Sequence, residues 1–157
     1  MTEIERKFLV KNNAFKKEAY DSTLIRQGFL NTNPDRTVRV RTRGDQGWIT
    51  IKGRSNDAGT IRSEWEYLID VKEAMQLLSI CEPGIIEKKR YLVAVDSHLF
   101  EIDEFLGDNA GLVVAEIELQ SEDEAFKSPS WLGKEVTGEA KYYNSNLSLH
   151  PFKKWKK

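Results

Sequence analysis

Thiols are almost missing from this chain: Cys81 is its one cysteine, so neither an internal disulfide nor a thiolate-built structural zinc site can form within it. Leu77, Leu78 and Ile80 around it suggest a partly buried, inert thiol. Histidine is nearly as scarce. His98 and His150 read as turn or surface residues, and no Ser-His-Asp or Cys-His arrangement can be drawn. A glycine-rich phosphate loop is absent as well. No apolar run approaches the ~20 residues that span a bilayer, and the N-terminus has no apolar signal core. A cytoplasmic protein is therefore expected. Missing, finally, is a surplus of either charge: 24 Lys and Arg stand against 25 Asp and Glu. Nucleic-acid binders carry a basic excess, so neither nucleic acid nor a membrane is an expected partner.

What the chain does have is charge in quantity, 31% of its 157 residues, set out in order. That length suits one domain, 1–157. Glu3-Ile4-Glu5-Arg6-Lys7 runs into Phe8-Leu9-Val10, and on a strand this puts Glu3, Glu5 and Lys7 on one face. Further strands are expected over 23–32, 37–43, 48–54, 61–70, 85–95, 98–105 and 112–120. Gly44-Asp45-Gln46-Gly47 and Asp96-Ser97 mark tight turns. Helical spacing predicts helices over 14–20 and 71–81, and 121–157 reads as helical and irregular, its Lys153–Lys157 end as a solvated tail. About eight strands joined by short turns form an antiparallel sheet that must split into a sandwich or close into a barrel.

Acidic residues recur two apart at Glu3/Glu5, Glu64/Glu66, Glu101/Asp103 and Glu116/Glu118, and basic ones at Arg39/Arg41, Lys52/Arg54 and Lys88/Arg90. Alternation alone favours a sandwich with these charges in water. Two details favour a barrel with the charges inside. The charged faces are sorted strand by strand into carboxylates or bases, and the helical patches and the aromatic C-terminal segment need an apolar outer wall to cover. Unpaired ions cannot be buried dry, so such an interior is a wet tunnel. A lumen carrying both signs suits phosphate chains with hard divalent cations.

The succession Glu-x-Glu-x-Lys, Arg-x-Arg, Thr-Ile-Lys, Glu-x-Glu, Lys-x-Arg, Glu-x-Asp, Glu-x-Glu resembles the CYTH family, also called triphosphate tunnel metalloenzymes. The likeness runs from residue 2 to about 149. Gln27-Gly28-Phe29-Leu30, Trp131-Leu132-Gly133 and Glu135-Val136-Thr137-Gly138 are similar to its short bacterial branch, whose members mostly hydrolyse inorganic tripolyphosphate. The resemblance implies a mainly β fold, a closed eight-stranded antiparallel barrel with a few external helices. It implies Mg²⁺ or Mn²⁺, two per site, on Glu3, Glu5, Asp103, Glu116 and Glu118. Lys7, Arg39, Arg41, Lys52, Lys88 and Arg90 would bind phosphates, with Glu64, Glu66 and Glu101 in support. Catalysis would rest on Glu3, Glu5, Lys7, Glu116 and Glu118. The expected partner is a small polyphosphate or nucleoside triphosphate, with a homodimer allowed. Rival activities are a CYTH-type adenylate cyclase, a thiamine triphosphatase and a non-catalytic polyphosphate-binding module. Lys141 stands where the family has Arg before paired tyrosines. Arg43, Arg54 and Arg62 fall on inward positions of their strands but match no motif, and Arg54 is expected on the surface.

Overall fold

The alternating segments become strands almost where their pattern sets them. The computed structural model describes residues 2–155, with strands β1 (Thr2–Val10), β2 (Asp21–Asn31), β3 (Arg36–Arg43), β4 (Gln46–Gly53), β5 (Ile61–Ile69), β6 (Ile86–Val95), β7 (His98–Phe105), β8 (Val113–Glu118) and β9 (Leu132–Glu135). Its helices are α1 (Phe15–Glu18), α2 (Val71–Leu78) and α3 (Asn144–Leu149). The strand order is β5-β4-β3-β2-β6-β7-β8-β1, antiparallel throughout. β1 also pairs back onto β5 through Thr2↔Ser63, Glu3↔Arg62 and Ile4↔Ile61, which closes the eight strands into the expected barrel. β9 was not legible. Its four residues carry no alternation, and they become a strand by pairing with β1 at Phe8↔Glu135 and Val10↔Leu132. α1 is also shorter than the 14–20 expected.

Residues directly opposite each other in an antiparallel pair share a face, so the registers sort the wall into inside and outside. Outside, Phe8, Tyr91, Val93, Phe100, Ile102, Ala115 and Ile117 form a buried cluster with Phe15 of α1 and with Trp131. Phe15 meets Tyr91 edge-on at 5.3 Å, and Trp131 meets Phe100 in the same way at 5.3 Å. Burying a side chain of this size stabilises by ~1.5–3 kcal/mol, enough to hold a one-turn helix that has little stability of its own. α2 begins at Asp70, whose Oδ1 accepts from the Lys72 amide at 2.8 Å, and its Ala74 and Leu78 cover Val40. Cys81 is half-buried there, its Sγ directed at the Leu77 carbonyl. Among the described residues no helix is long and apolar enough to cross a membrane.

One apolar cluster lies elsewhere. Phe105 is opposite Lys88 and Val114 is opposite Asp103, so both point inward with the charges. They join Ile86 and Leu112 beneath Val136, Tyr142 and Leu147. The aromatic C-terminal segment, expected over the outer wall, therefore closes one end of the barrel, the end where β1 finishes and β6 begins. Trp155 extends this packing against Tyr142 and Phe152, and its Nε1 donates to the His150 carbonyl at 3.0 Å. The supposedly solvated tail is thus docked as far as Trp155, while Lys156 and Lys157 lie outside the described residues.

Candidate active site

Register brings the opening motif into a wall of acids. Glu5 lies opposite Glu118 and Lys7 opposite Glu116 across β1 and β8, and Glu116 in turn lies opposite Glu101 of β7. Like charges placed face to face are destabilising, so this wall holds unfavourable charge density. Burial first, and then the nearby Glu116 carboxylate, push Glu5 up from its ordinary 4.5 to about 8. Glu118 is also raised, by burial and then by Glu3 and Glu101. Burial works the same way on Glu116, but Lys7 and a hydrogen bond with Glu5 outweigh it and hold Glu116 well below the usual carboxylate range.

Across the lumen stands the basic set. Arg39 and Arg41 come from β3, Lys52 from β4, and Lys88 and Arg90 from β6, each on the inward face by register. Lys52 Nζ reaches Glu3 at 2.7 Å, and Lys7 Nζ reaches Glu116 at 3.6 Å. Glu66 stands 3.8 Å from both Arg39 and Arg41, and it accepts from the Thr50 hydroxyl at 2.8 Å. Glu101 meets Arg90 at 3.1 Å. Glu64, opposite Lys52, is raised to about 7 by burial and then by Glu3. Crowding acts on the bases too: burial lowers Arg41 to about 10, helped by Arg39 and Arg90, and lowers Lys88 to about 8.

Asp103, expected beside the metals, is engaged on both oxygens. Arg90 donates Nε and Nη2 to Oδ1 and Oδ2 at 2.8 and 2.9 Å, and Lys88 Nζ reaches Oδ2 at 2.7 Å. These two cations hold Asp103 well below the usual range despite its burial.

Glu5, Lys7, Arg39, Lys52, Lys88, Arg90 and Glu116 line one cavity of about 80 Å³. Glu3, Glu64, Glu66, Glu101 and Glu118 flank it, the last two opening onto the far mouth of the barrel with His98 and Glu124. Arg62, expected on an inward position but without a role, also lines the cavity, as do Thr50, Tyr143 and Asn144, which were not among the expected site residues. Arg62 shares parity with Glu64 and Glu66, which is what set it on the inward face; its Nε is buried without a partner among the described residues. Tyr143 and Asn144 arrive from the C-terminal segment, which no local signal places here. Their approach needs two glycines at positive φ, Gly59 at 77° and Gly138 at 78°, packed backbone to backbone. A Cβ on Gly138 would sit 2.6 Å from the Ala58 carbonyl oxygen. Arg54 is exposed and paired with Asp35, as expected, and Arg43 pairs with Asp21 at 3.5 Å. Lys141 lies over the Trp155 ring at 4.8 Å and is not among the residues that line the cavity.

The donor set fits hard divalent cations. It is all carboxylate, and Glu5 and Glu118 are short of positive charge. Among the described residues no three acidic or histidine side chains form a ready-made cage. Mg²⁺ sites commonly lack one, using one or two carboxylates with water and substrate phosphate.

A CYTH domain model matches residues 1–149. An inorganic triphosphatase of Acetivibrio thermocellus is 48% identical over 155 residues, 98% of this chain and 97% of the relative. One from Nitrosomonas europaea is 39% identical over 153 residues, 95% and 98% of the two chains. The crystal structure of the inorganic triphosphatase NE1496 superposes with a TM-score of 0.66 at 35% identity, covering 94% of this chain and 97% of that one. With the closed barrel, the facing walls of charge and near full-length relatives, the chain belongs to the CYTH family.

Proposed function

We propose that the protein hydrolyses inorganic tripolyphosphate to pyrophosphate and orthophosphate inside this barrel, with Mg²⁺ or Mn²⁺, two per site. The observation that carries the reading is the convergence of a carboxylate wall and a Lys/Arg wall on one small cavity.

In this reading Glu3, Glu5, Glu116 and Glu118 hold the cations. When bound, these would neutralise phosphate charge and lower the pKa of a water. The chain's own groups do the rest. Arg39, Arg41, Lys52, Lys88 and Arg90 grip the non-bridging oxygens and keep the phosphates in register. These bases rest on Glu3, Glu66, Glu101 and Asp103, carboxylates that hold the donors in place for phosphate oxygens. Lys7, beside Glu116, joins the two walls. Water attacks the terminal phosphorus in line, its O–P bond forms as the P–O–P bridge breaks, and the leaving pyrophosphate oxygen gains its charge facing Arg and Lys. No protein nucleophile is needed. A homodimer and a cytoplasmic location are part of the same proposal.

The test is phosphate release from tripolyphosphate, ATP and thiamine triphosphate with Mg²⁺ or Mn²⁺, and again with chelator. Orthophosphate chiefly from tripolyphosphate, lost on chelation, is the expected result. Cyclic AMP from ATP would replace this reading with the cyclase, and no turnover of any of the three would leave a binding module.

A further inference from the structure

Lys88 is held more tightly than a phosphate-binding lysine needs to be. Its side chain is 1% exposed, although it lines the cavity. Its ammonium carries three N–H donors and no acceptor. One goes to Asp103 Oδ2 at 2.7 Å and a second to Asn144 Oδ1 at 3.0 Å. The Phe105 ring stands 5.5 Å from Nζ and blocks another approach. Asn144 is fixed in turn, since its Oδ1 also accepts from Nε2 of the fully buried Gln27 at 2.8 Å. Lysine is a point charge on a flexible stem, without the fixed fork of arginine, so its aim must come from its surroundings.

We propose that Asn144 is a positioning residue for substrate: with Asp103 it occupies two of the three Lys88 donors and leaves the third for a phosphate oxygen in the cavity. The residue type supports this. An amide oxygen accepts as a carboxylate does but adds no negative charge facing an anionic substrate. Asn144 lies 56 residues beyond Lys88, at the start of α3, so the docked C-terminal segment sets the aim of a β6 side chain. The proposal rests on the tripolyphosphatase reading.

The experiment is a double-mutant cycle of Asn144→Ala and Lys88→Ala. It is read by calorimetric binding of tripolyphosphate, by Mn²⁺ binding alone, and by steady-state kinetics, with melting temperature as the check on folding. Asn144→Ala should weaken tripolyphosphate binding and raise KM by roughly tenfold, the size of one charge-assisted hydrogen bond. Mn²⁺ affinity should stay near the parent's, while melting falls by a few degrees because the buried Gln27 and Lys88 donors lose an acceptor. In the Lys88→Ala background the same substitution should cost nothing further, because a residue acting through Lys88 has nothing left to act on. An equal cost in both backgrounds, a loss of Mn²⁺ binding, or an unchanged KM would each overturn the assignment. Should Asn144→Ala fail to fold, Gln27→Met is the second variant. It frees the Asn144 oxygen from its other donor without touching Lys88, and its effect on tripolyphosphate binding must likewise vanish in Lys88→Ala. If the parent protein binds tripolyphosphate but does not hydrolyse it, the functional reading fails while the cycle still reports on Asn144.

Discussion

Stripping the protein of divalent metal should make its stability fall as pH rises through neutrality, the reverse of ordinary acid denaturation. The cause is Glu5, which burial and Glu116 raise from 4.5 to about 8. Folding therefore strengthens its hold on a proton. Between pH 4.5 and about 8 the native state carries more protons than the unfolded chain, so stability declines with pH across that window; it is fully present below 4.5 and lost above 8. At ~1.36 kcal/mol for each pH unit, the rise sets a ceiling of about 5 kcal/mol, and sharing the proton with Glu116 brings the expectation to about 2–3 kcal/mol. Glu64, raised to about 7, acts in the same direction but more weakly because it is half-exposed. Glu116 acts oppositely, stabilising above 4.5 and losing that contribution in acid. A chain of this length shifts in Tm by ~2–4 °C per kcal/mol, so chelated protein should melt about 5–10 °C lower at pH 8 than at pH 5. Mn²⁺ binds the deprotonated carboxylates, and should raise Tm far more at pH 8 than at pH 5. Calorimetry of the parent and Glu5→Gln decides the matter. A parent Tm that is flat from pH 5 to 8, or a decline that survives unchanged in Glu5→Gln, would refute the reasoning.

Glu116→Gln should reduce tripolyphosphate turnover by at least about 100-fold while Tm moves by only a few degrees, since the folded wall loses a repulsion as well as an ion pair; parent-like turnover would remove Glu116 from the metal set. Asp103→Asn should retain Mn²⁺ affinity in electron paramagnetic resonance titrations yet melt markedly lower, because Arg90 and Lys88 lose their shared buried anion at a cost of about 3–5 kcal/mol. Arg39→Ala should raise KM for tripolyphosphate about tenfold or more with Mn²⁺ binding intact, and Arg39→Lys should recover part of it. Gly138→Ala forces a Cβ against the Ala58 carbonyl at positive φ, and should cost about 2 kcal/mol or more in urea unfolding and weaken activity through the displaced Tyr143–Asn144 segment.

Much of the barrel was legible because its information is local. Val38 and Val40 alternate with Arg39 and Arg41 in the residues themselves, and a two-residue period is the same statement in sequence and in space. The sorting of charges by strand favoured an inward placement without deciding it, the resemblance to the CYTH family chose it, and the register now shows how Glu5, Glu116 and Glu118 come together. The residues that escaped depend on distant partners. Leu132–Glu135 is a strand only because β1 is there to receive it. Asn144 matters only because of where Tyr142 and Leu147 anchor its segment. Asp103 could be placed in the lumen from its parity, but its engagement with both Lys88 and Arg90 depended on side-chain geometry that spacing does not carry.

β1 has three partners, β5, β8 and β9, the last two made more than a hundred residues later. As the chain leaves the ribosome its first strand can meet β5 early through Thr2, Glu3 and Ile4, but its longer register with β8, which the ring needs to close, must wait until residues 113–118 have emerged. Ring closure therefore comes late and slowly, as expected where contacts span so much sequence. Because the closing strand carries Glu3, Glu5 and Lys7, the acidic half of the active site is assembled by the final act of folding, and a nascent chain stalled before residue 113 has no functional centre to misfire.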